Sequence, residues 1–214
     1  MSHLYGPAHR ALQERHGTQP LADRLESLAH PEFDDADHAF VESAALFFLS
    51  TVDHLGRPTV SYKGGAPGFV RITAPGELAF PSYDGNGMFL SLGNLAASPQ
   101  VGLLFIDFAH PRRLRVQGAA RLEDDDPLLA AYPGAELVVR VAVETIFVNC
   151  GRYIHPAAPA ALSRHVPDAS GRQPFPAWKR IAPLAETLGE ADRRAVEAAG
   201  GPIAPEDYRG EGPA

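Results

Sequence analysis

Three short stretches hold side chains whose types and spacing could do chemistry. The first is Ser61-Tyr62-Lys63-Gly64-Gly65-Ala66-Pro67-Gly68-Phe69-Val70-Arg71. Its three glycines would let a ligand approach backbone amides closely, and a cation stands on either side of them. It is not a phosphate-binding P-loop, and a bulged hairpin whose Lys63 and Arg71 simply reach water has the same composition. The second is Tyr83-Asp84-Gly85-Asn86-Gly87 followed by Met88-Phe89-Leu90-Ser91-Leu92-Gly93-Asn94. Here a Gly-rich loop opens a helix, whose first amides suit a phosphate. Ser91 and Asn94, three apart, share a helical face. A capped surface helix is the competing reading. The third is Arg112-Arg113-Leu114-Arg115-Val116-Gln117. On a strand, Arg113, Arg115 and Gln117 point to one side and Leu114 and Val116 to the other. Such a face binds an anion, or is salted by nearby acids.

Other residues carry less. Five of the nine histidines lie in the first 40 residues, without a metal-site spacing, and read as solvated; no metal is expected. Asp124-Asp125-Asp126 lacks the glycine and later glutamate of a calcium loop and reads as a solvated acidic turn. Cys150, at the end of an apolar stretch, reads as a buried small hydrophobe.

The elements that must position these groups belong to a globular chain. Of 214 residues, 45% are hydrophobic and 21% charged, with 20 Gly and 20 Pro for turns. The net charge of −7 argues against broad binding to nucleic acid. A single cysteine excludes a disulfide framework. No apolar run is long enough to span a membrane and no secretory signal is seen, so a cytoplasmic protein is expected.

Short helices are expected at residues 7–17 and 22–29, and strands at 45–52, 58–62, 69–73, 77–80, 101–108, 114–122 and 137–148. One helix is inserted at 88–97, after a long loop over 81–87. On the last strand Val139, Val141, Val143 and Phe147 share a face by period two. A helix at 190–199 follows a Pro- and Ala-rich stretch, and the last dozen residues read as frayed. The result is a single domain, mainly β with flanking helices. It has N-terminal helices over 1–44, an antiparallel barrel over 45–150 and a C-terminal extension over 151–214.

Taken together these stretches resemble the FMN-binding split-barrel superfamily, the pyridoxamine 5'-phosphate oxidase-like proteins. The resemblance rests on Phe48-Leu49-Ser50-Thr51-Val52-Asp53, Gly56-Arg57-Pro58, the run from Ser61 to Arg71, Gly85-Asn86-Gly87, Ser91-Leu92-Gly93-Asn94-Leu95, Pro99-Gln100-Val101-Gly102 and Leu114-Arg115-Val116-Gln117-Gly118. It implies a six-stranded antiparallel split β-barrel, a homodimer with FMN at the subunit interface, and flavin-dependent oxidoreductase activity on a small molecule the sequence does not name. The non-catalytic alternative is binding of a flavin or a tetrapyrrole-like ligand, and a basic face that binds a partner protein is a third reading. The cofactor contacts it implies are Lys63, Phe69, Val70, Arg71, Asn86, Ser91, Asn94 and Arg113. Lys63, Arg113 and the helix N-terminus would neutralise the phosphate, and Arg71 could face the pyrimidine edge of the flavin ring. No catalytic acid or base is implied. The chain departs from the better-known oxidases in having Met88-Phe89-Leu90-Ser91, without a cation, where the inserted helix begins. Its tail, Pro205 to Ala214, has one Arg and no His, so pyridoxine 5'-phosphate is not the expected substrate.

Overall fold

The computed structural model describes residues 2–157 and 162–209. The chain divides into two compact units, residues 1–160 and 161–214. Among the described residues no helix is long and apolar enough to cross a membrane.

The first unit opens with three helices, α1 (Pro7–Arg15), α2 (Gln19–Glu26) and α3 (Asp35–Ser43). The strands are β1 (Leu46–Val52), β2 (Pro58–Gly64), β3 (Arg71–Ala74), β4 (Glu77–Tyr83), β5 (Gln100–Asp107), β6 (Arg112–Glu123) and β7 (Ala135–Asn149), with α4 (Leu90–Ala97) between β4 and β5. All strand pairs are antiparallel, in the order β2-β1-β5-β6-β7-β4-β3.

This sheet is strongly coiled. In a flat sheet β1 and β4, four steps apart, would be about 19 Å from one another. Instead the rings of Phe47 and Phe80 meet at 5.0 Å, and Phe47 also packs on Phe69 at 5.8 Å and Phe105 at 5.2 Å. The core is the inside of this curl: Phe47 and Leu49 from β1, Leu78 and Phe80 from β4, Leu103 and Phe105 from β5, Val116 from β6, and Val139 and Val141 from β7. The ladder has two ends, β2 and β3, so the sheet curls without closing through hydrogen bonds. The expected barrel is met as mainly β, antiparallel and coiled, with seven strands in one sheet where the resemblance implies six.

Four local expectations need correction. First, β4 runs through Pro81 to Tyr83, where a loop was expected from residue 81. By Pro81 the neighbouring β3 has ended its pairing at Ala79, so the missing N–H faces no strand. Second, a bulge lies opposite Gln117 and Gly118, leaving Glu144 outside the pairing. It flips the parity of β7. Ile146, with no exposed surface, takes the core position, and Phe147 leaves the face of Val139 and Val141. The bulge also explains Gly118, where a Cβ would stand 2.1 Å from the Ala142 carbonyl oxygen. Third, Cys150 is exposed rather than buried, because β7 ends at Asn149. Fourth, Asp126 is buried, where a solvated turn was expected. It caps the turn at Pro127–Ala131 and pairs with Arg140.

Helix α3 is an element the sequence reading lacked. Its signal is Asp34 followed by Asp37: the Asp34 carboxylate accepts from the Asp37 amide at 2.9 Å and Asp37 reaches back to the Asp34 amide.

In the second unit, α5 (Ala182–Ala185) and α6 (Glu190–Ala198) pack beside a turn over Ala177–Arg180. Helix α6 matches expectation. Lys179 is buried and donates to both carboxylate oxygens of Asp192, at 3.1 and 3.0 Å. Of the frayed tail, residues 210–214 lie outside the described residues.

Candidate functional site

The site starts with the β1–β2 hairpin. Asp53 closes it, accepting from the amides of Leu55 and Arg57, both at 2.9 Å, and from Arg57 Nε at 2.7 Å. The side-chain and backbone bonds from Arg57 pull the Asp53 carboxyl down to about 2. This turn fixes the register in which Thr51 faces Thr59, Leu49 faces Ser61 and Phe47 faces Lys63. Phe47 and Leu49 point into the core, so Thr59, Ser61 and Lys63 share the inner face of β2.

Helix α4 lies along that face. Asn94 Nδ2 donates to Thr51 Oγ1 at 3.0 Å and to Thr59 Oγ1 at 3.2 Å, and Ser91 Oγ is 2.7 Å from Ser61 Oγ. Ser91 and Asn94 are both buried, so their polar groups dock the helix on the hairpin. The row runs Asn94 against Thr59, then Ser91 against Ser61. Two strand residues advance about 6.6 Å and three helix residues about 4.5 Å. Lys63 therefore falls just beyond the first turn of α4, beside its N-terminus.

Two features of that corner matter electrostatically. Lys63 is half-buried and has no hydrogen bond or ion pair among the described residues, and burial lowers its pKa. Helix α4 begins at Leu90, two residues later than expected, because Phe89 takes a left-handed conformation with φ 47°. Phe89 gives no side-chain cap, so the first amides of α4 face outward with the helix dipole behind them. These are the two groups of this corner with which an anion could pair.

The other expected residues are placed as follows. The Phe69 and Val70 side chains are buried in the core, and the Phe69 amide donates to the Ala66 carbonyl at 2.9 Å. A Cβ on Gly65 would meet the Phe69 ring at 2.5 Å, so this glycine serves packing. Asn86 is exposed, and its Oδ1 accepts from the Met88 amide at 3.1 Å, shaping the loop before α4.

Arg71 pairs in register with Ala79, which lies opposite the core residues Leu78 and Phe80, so Arg71 stands on the outer face of β3. There it donates to the Ala131 carbonyl at 3.3 Å and lies 5.0 Å over the Tyr132 ring. Burial pushes the Tyr132 hydroxyl up to about 12. Arg113 faces Ile106, next to the core residues Leu114 and Phe105, and so is also on the outer face. Within one chain, Lys63, Ser91, Asn94 and the α4 N-terminus come together, whereas Arg71 and Arg113 project from the other side of the sheet.

Near Arg113 the structure corrects the reading of the N-terminal histidines as solvated. His30 is half-buried, exchanges backbone hydrogen bonds with Ile146, and places Nε2 2.6 Å from Asp37 Oδ2. Burial opposes the charged imidazole. The bonds to Asp37 and the Leu28 carbonyl, with the charges of Asp37 and Asp34, outweigh it and raise the His30 pKa. A raised folded pKa contributes stability below the unfolded value of about 6.5, and that contribution is lost as pH rises through the folded value. The stability lead of the native chain over His30→Gln, from urea unfolding, should therefore shrink between about pH 6 and pH 8. A lead that stays constant would contradict an ionised His30–Asp37 pair.

Three comparisons place the chain among known proteins to different extents. A family model described as pyridoxamine 5'-phosphate oxidase matches residues 33–166, more than half of the chain. Among solved structures, HupZ from Group A Streptococcus is 16% identical, with 59% of this chain and 99% of that one covered and a TM-score of 0.46. The heme storage protein HutZ from Vibrio cholerae is 21% identical, covering 55% and 94%, with a TM-score of 0.41. A FAD-binding protein from Mesorhizobium loti is 15% identical, covering 57% and 99%, with a TM-score of 0.36. A search of curated proteins finds no match. With the family model spanning α3 and all seven strands, this chain belongs to the pyridoxamine 5'-phosphate oxidase family.

Proposed function

We propose that the protein binds FMN and acts as a flavin-dependent oxidoreductase on a small molecule. The observation that carries this reading is the half-buried Lys63, without a partner among the described residues, beside the uncapped N-terminus of α4. Membership of the family makes a flavin the fitting group. FMN ends in a phosphate monoester carrying about −1.5 to −2 charges near neutral pH. Lys63 Nζ would donate to that phosphate, with the first amides of α4 as further donors. Ser91 and Asn94 act as positioning residues, because they hold α4 in place through Ser61, Thr51 and Thr59. The backbone of Phe69 and Val70, the Asn86 loop and Arg71 would border the ring or ribityl chain. When bound, the flavin supplies the redox chemistry, and the protein positions it and tunes its potential.

The reading includes a homodimer in a cytoplasmic setting. The outer face of β1, β2 and β5 carries Phe48, Val60, Tyr62, Leu104 and Ile106, with Val60 and Tyr62 68% and 62% exposed. A second copy covering this face would bury it. It would also offer the outer-face arginines a route to a ligand held at the inner-face corner of the other copy.

The test is a titration of flavin-stripped protein with FMN, followed by quenching of flavin fluorescence, with light scattering on the same sample. One FMN per chain on a dimer is expected. A chain that takes up no FMN would overturn the reading.

A further inference from the structure

The stretch from His30 to His38 carries four acids, Glu32, Asp34, Asp35 and Asp37, and no Lys or Arg. Folding gathers three of its side chains. One ligand-competent atom from each of His30, Asp34 and Asp37 lies within 4.8 Å of the other two. His30 precedes α3 and the two aspartates open it, so linear spacing does not show the cluster.

Helix capping accounts for the aspartates but not for the imidazole. Asp34 Oδ1 accepts from the Asp37 amide at 2.9 Å, and Asp37 Oδ2 accepts from the Asp34 amide at 3.3 Å. One oxygen of each carboxylate is left without a hydrogen bond among the described residues. His30 is held from outside the cluster. Its backbone exchanges hydrogen bonds with Ile146 at 3.1 and 2.7 Å. Its Nδ1 lies 3.1 Å from the Leu28 carbonyl, which can only accept, so Nδ1 carries the hydrogen. Nε2 then faces a carboxylate oxygen, which also only accepts, at 2.6 Å. That contact requires a positive charge between the two atoms, either a proton or a metal ion. A ring whose far nitrogen is fixed on a backbone carbonyl is the arrangement metal-binding histidines use.

We propose that His30, Asp34 and Asp37 bind one divalent transition-metal ion of the zinc class, through His30 Nε2 and one oxygen of each carboxylate. Two carboxylates neutralise the ion, and the imidazole favours zinc over magnesium or calcium, which prefer oxygen alone. Ligand atoms around tetrahedral zinc stand about 3.4 Å apart, so the His30–Asp37 contact opens by about 0.8 Å. Asp34 is exposed and has room to turn inward. Water completes the coordination. The ion takes the place of the proton that pairs His30 with Asp37 in the metal-free chain, and ties α3 to the segment bridged to β7. None of the three ligands is assigned to the flavin, so the proposal does not rest on that reading.

The experiment is calorimetric titration of the full chain, stripped with EDTA, using zinc chloride and, separately, magnesium chloride, with melting of the same samples. Zinc should bind one per chain in its tightest class and raise Tm, and magnesium should do neither. Asp34→Asn keeps an acceptor for the Asp37 amide and loses the carboxylate, and His30→Gln removes the imidazole. Each should weaken zinc binding about tenfold or more and remove the gain in Tm. Asp35→Asn, an exposed neighbour outside the cluster, should bind zinc as the native chain does. Unchanged zinc affinity in Asp34→Asn and His30→Gln would overturn the ligand set and put the ion on other histidines. Equal weakening in Asp35→Asn would reduce the site to a diffuse acidic patch. Magnesium binding as tight as zinc would overturn the imidazole ligand.

Discussion

Lys63→Met should weaken FMN binding about ten- to a hundredfold and raise the stability of the flavin-free chain. The first effect follows from losing a charged donor to the phosphate, about 1.5–3 kcal/mol. The second follows from the position of Lys63, which has a desolvated ammonium and, among the described residues, no partner to offset it. Methionine keeps most of the side-chain volume and removes the buried charge. The pH dependence has a definite sign. A folded pKa below the unfolded value near 10.4 means that the unfolded chain binds more protons, so stability rises with pH in the window between the two. The native flavin-free chain should therefore gain on Lys63→Met as the solution becomes alkaline. Flavin fluorescence titration and calorimetric melting read the two effects. Loss of stability with unchanged FMN affinity would show Lys63 to be structural.

The largest expected loss of stability comes from the opposite face. Arg140 on β7 bonds Asp126 through Nε and through Nη2, the latter at 2.9 Å, and Glu77 through Nη1 at 2.7 Å. Arg121 closes the cluster on Glu77 at 2.9 Å. The Asp126 side chain is only 2% exposed. Removing Arg140 leaves that carboxylate buried without its cation, so Arg140→Met should cost about 3 kcal/mol. In a domain of this size that lowers Tm by about 6–12 °C. Adding Asp126→Asn should recover part of the loss, since the buried charge is gone while the cap on Leu128 remains. The Arg140 bonds also lower the Asp126 pKa, so this contribution is present above about pH 4 and fades as pH falls through the folded value. A double variant less stable than Arg140→Met would contradict the buried-charge account.

Much of the architecture was legible because the strands are short, apolar and separated by Gly, Pro and Asp turns. All seven were visible in the residue pattern, as was the helix carrying Ser91 and Asn94. The errors share a physical cause. Period-two counting gives the relative parity of side chains within a strand and nothing beyond an unseen bulge, so Phe147 was put on the face of Val139. Pro81 looks like a strand breaker until its missing N–H is seen to face no neighbour. Asp126 and His30 read as solvated because their partners, Arg140 and Asp37, come together only in the folded chain.

The site divides the same way. The cations at 63, 71 and 113 were visible as types, but which side of the sheet each occupies depends on register. Lys63 is assigned to the inner face by its pairing with Phe47, and Arg113 to the outer face by its pairing with Ile106. The hydroxyl row of Thr51, Thr59 and Ser61, which docks α4, was read only as strand residues. Its signal is three hydroxyl side chains at matching positions of one hairpin.

The central claim is that the Lys63 corner reads a phosphate. Parallel titrations of flavin-stripped protein with FMN and with riboflavin, which lacks only that phosphate, test it most directly. If Lys63 and the α4 N-terminus hold the phosphate, FMN should bind at least a hundredfold tighter than riboflavin, about 2.7 kcal/mol or more. Lys63→Met should then remove much of that preference. Equal affinity for the two flavins would contradict the phosphate site.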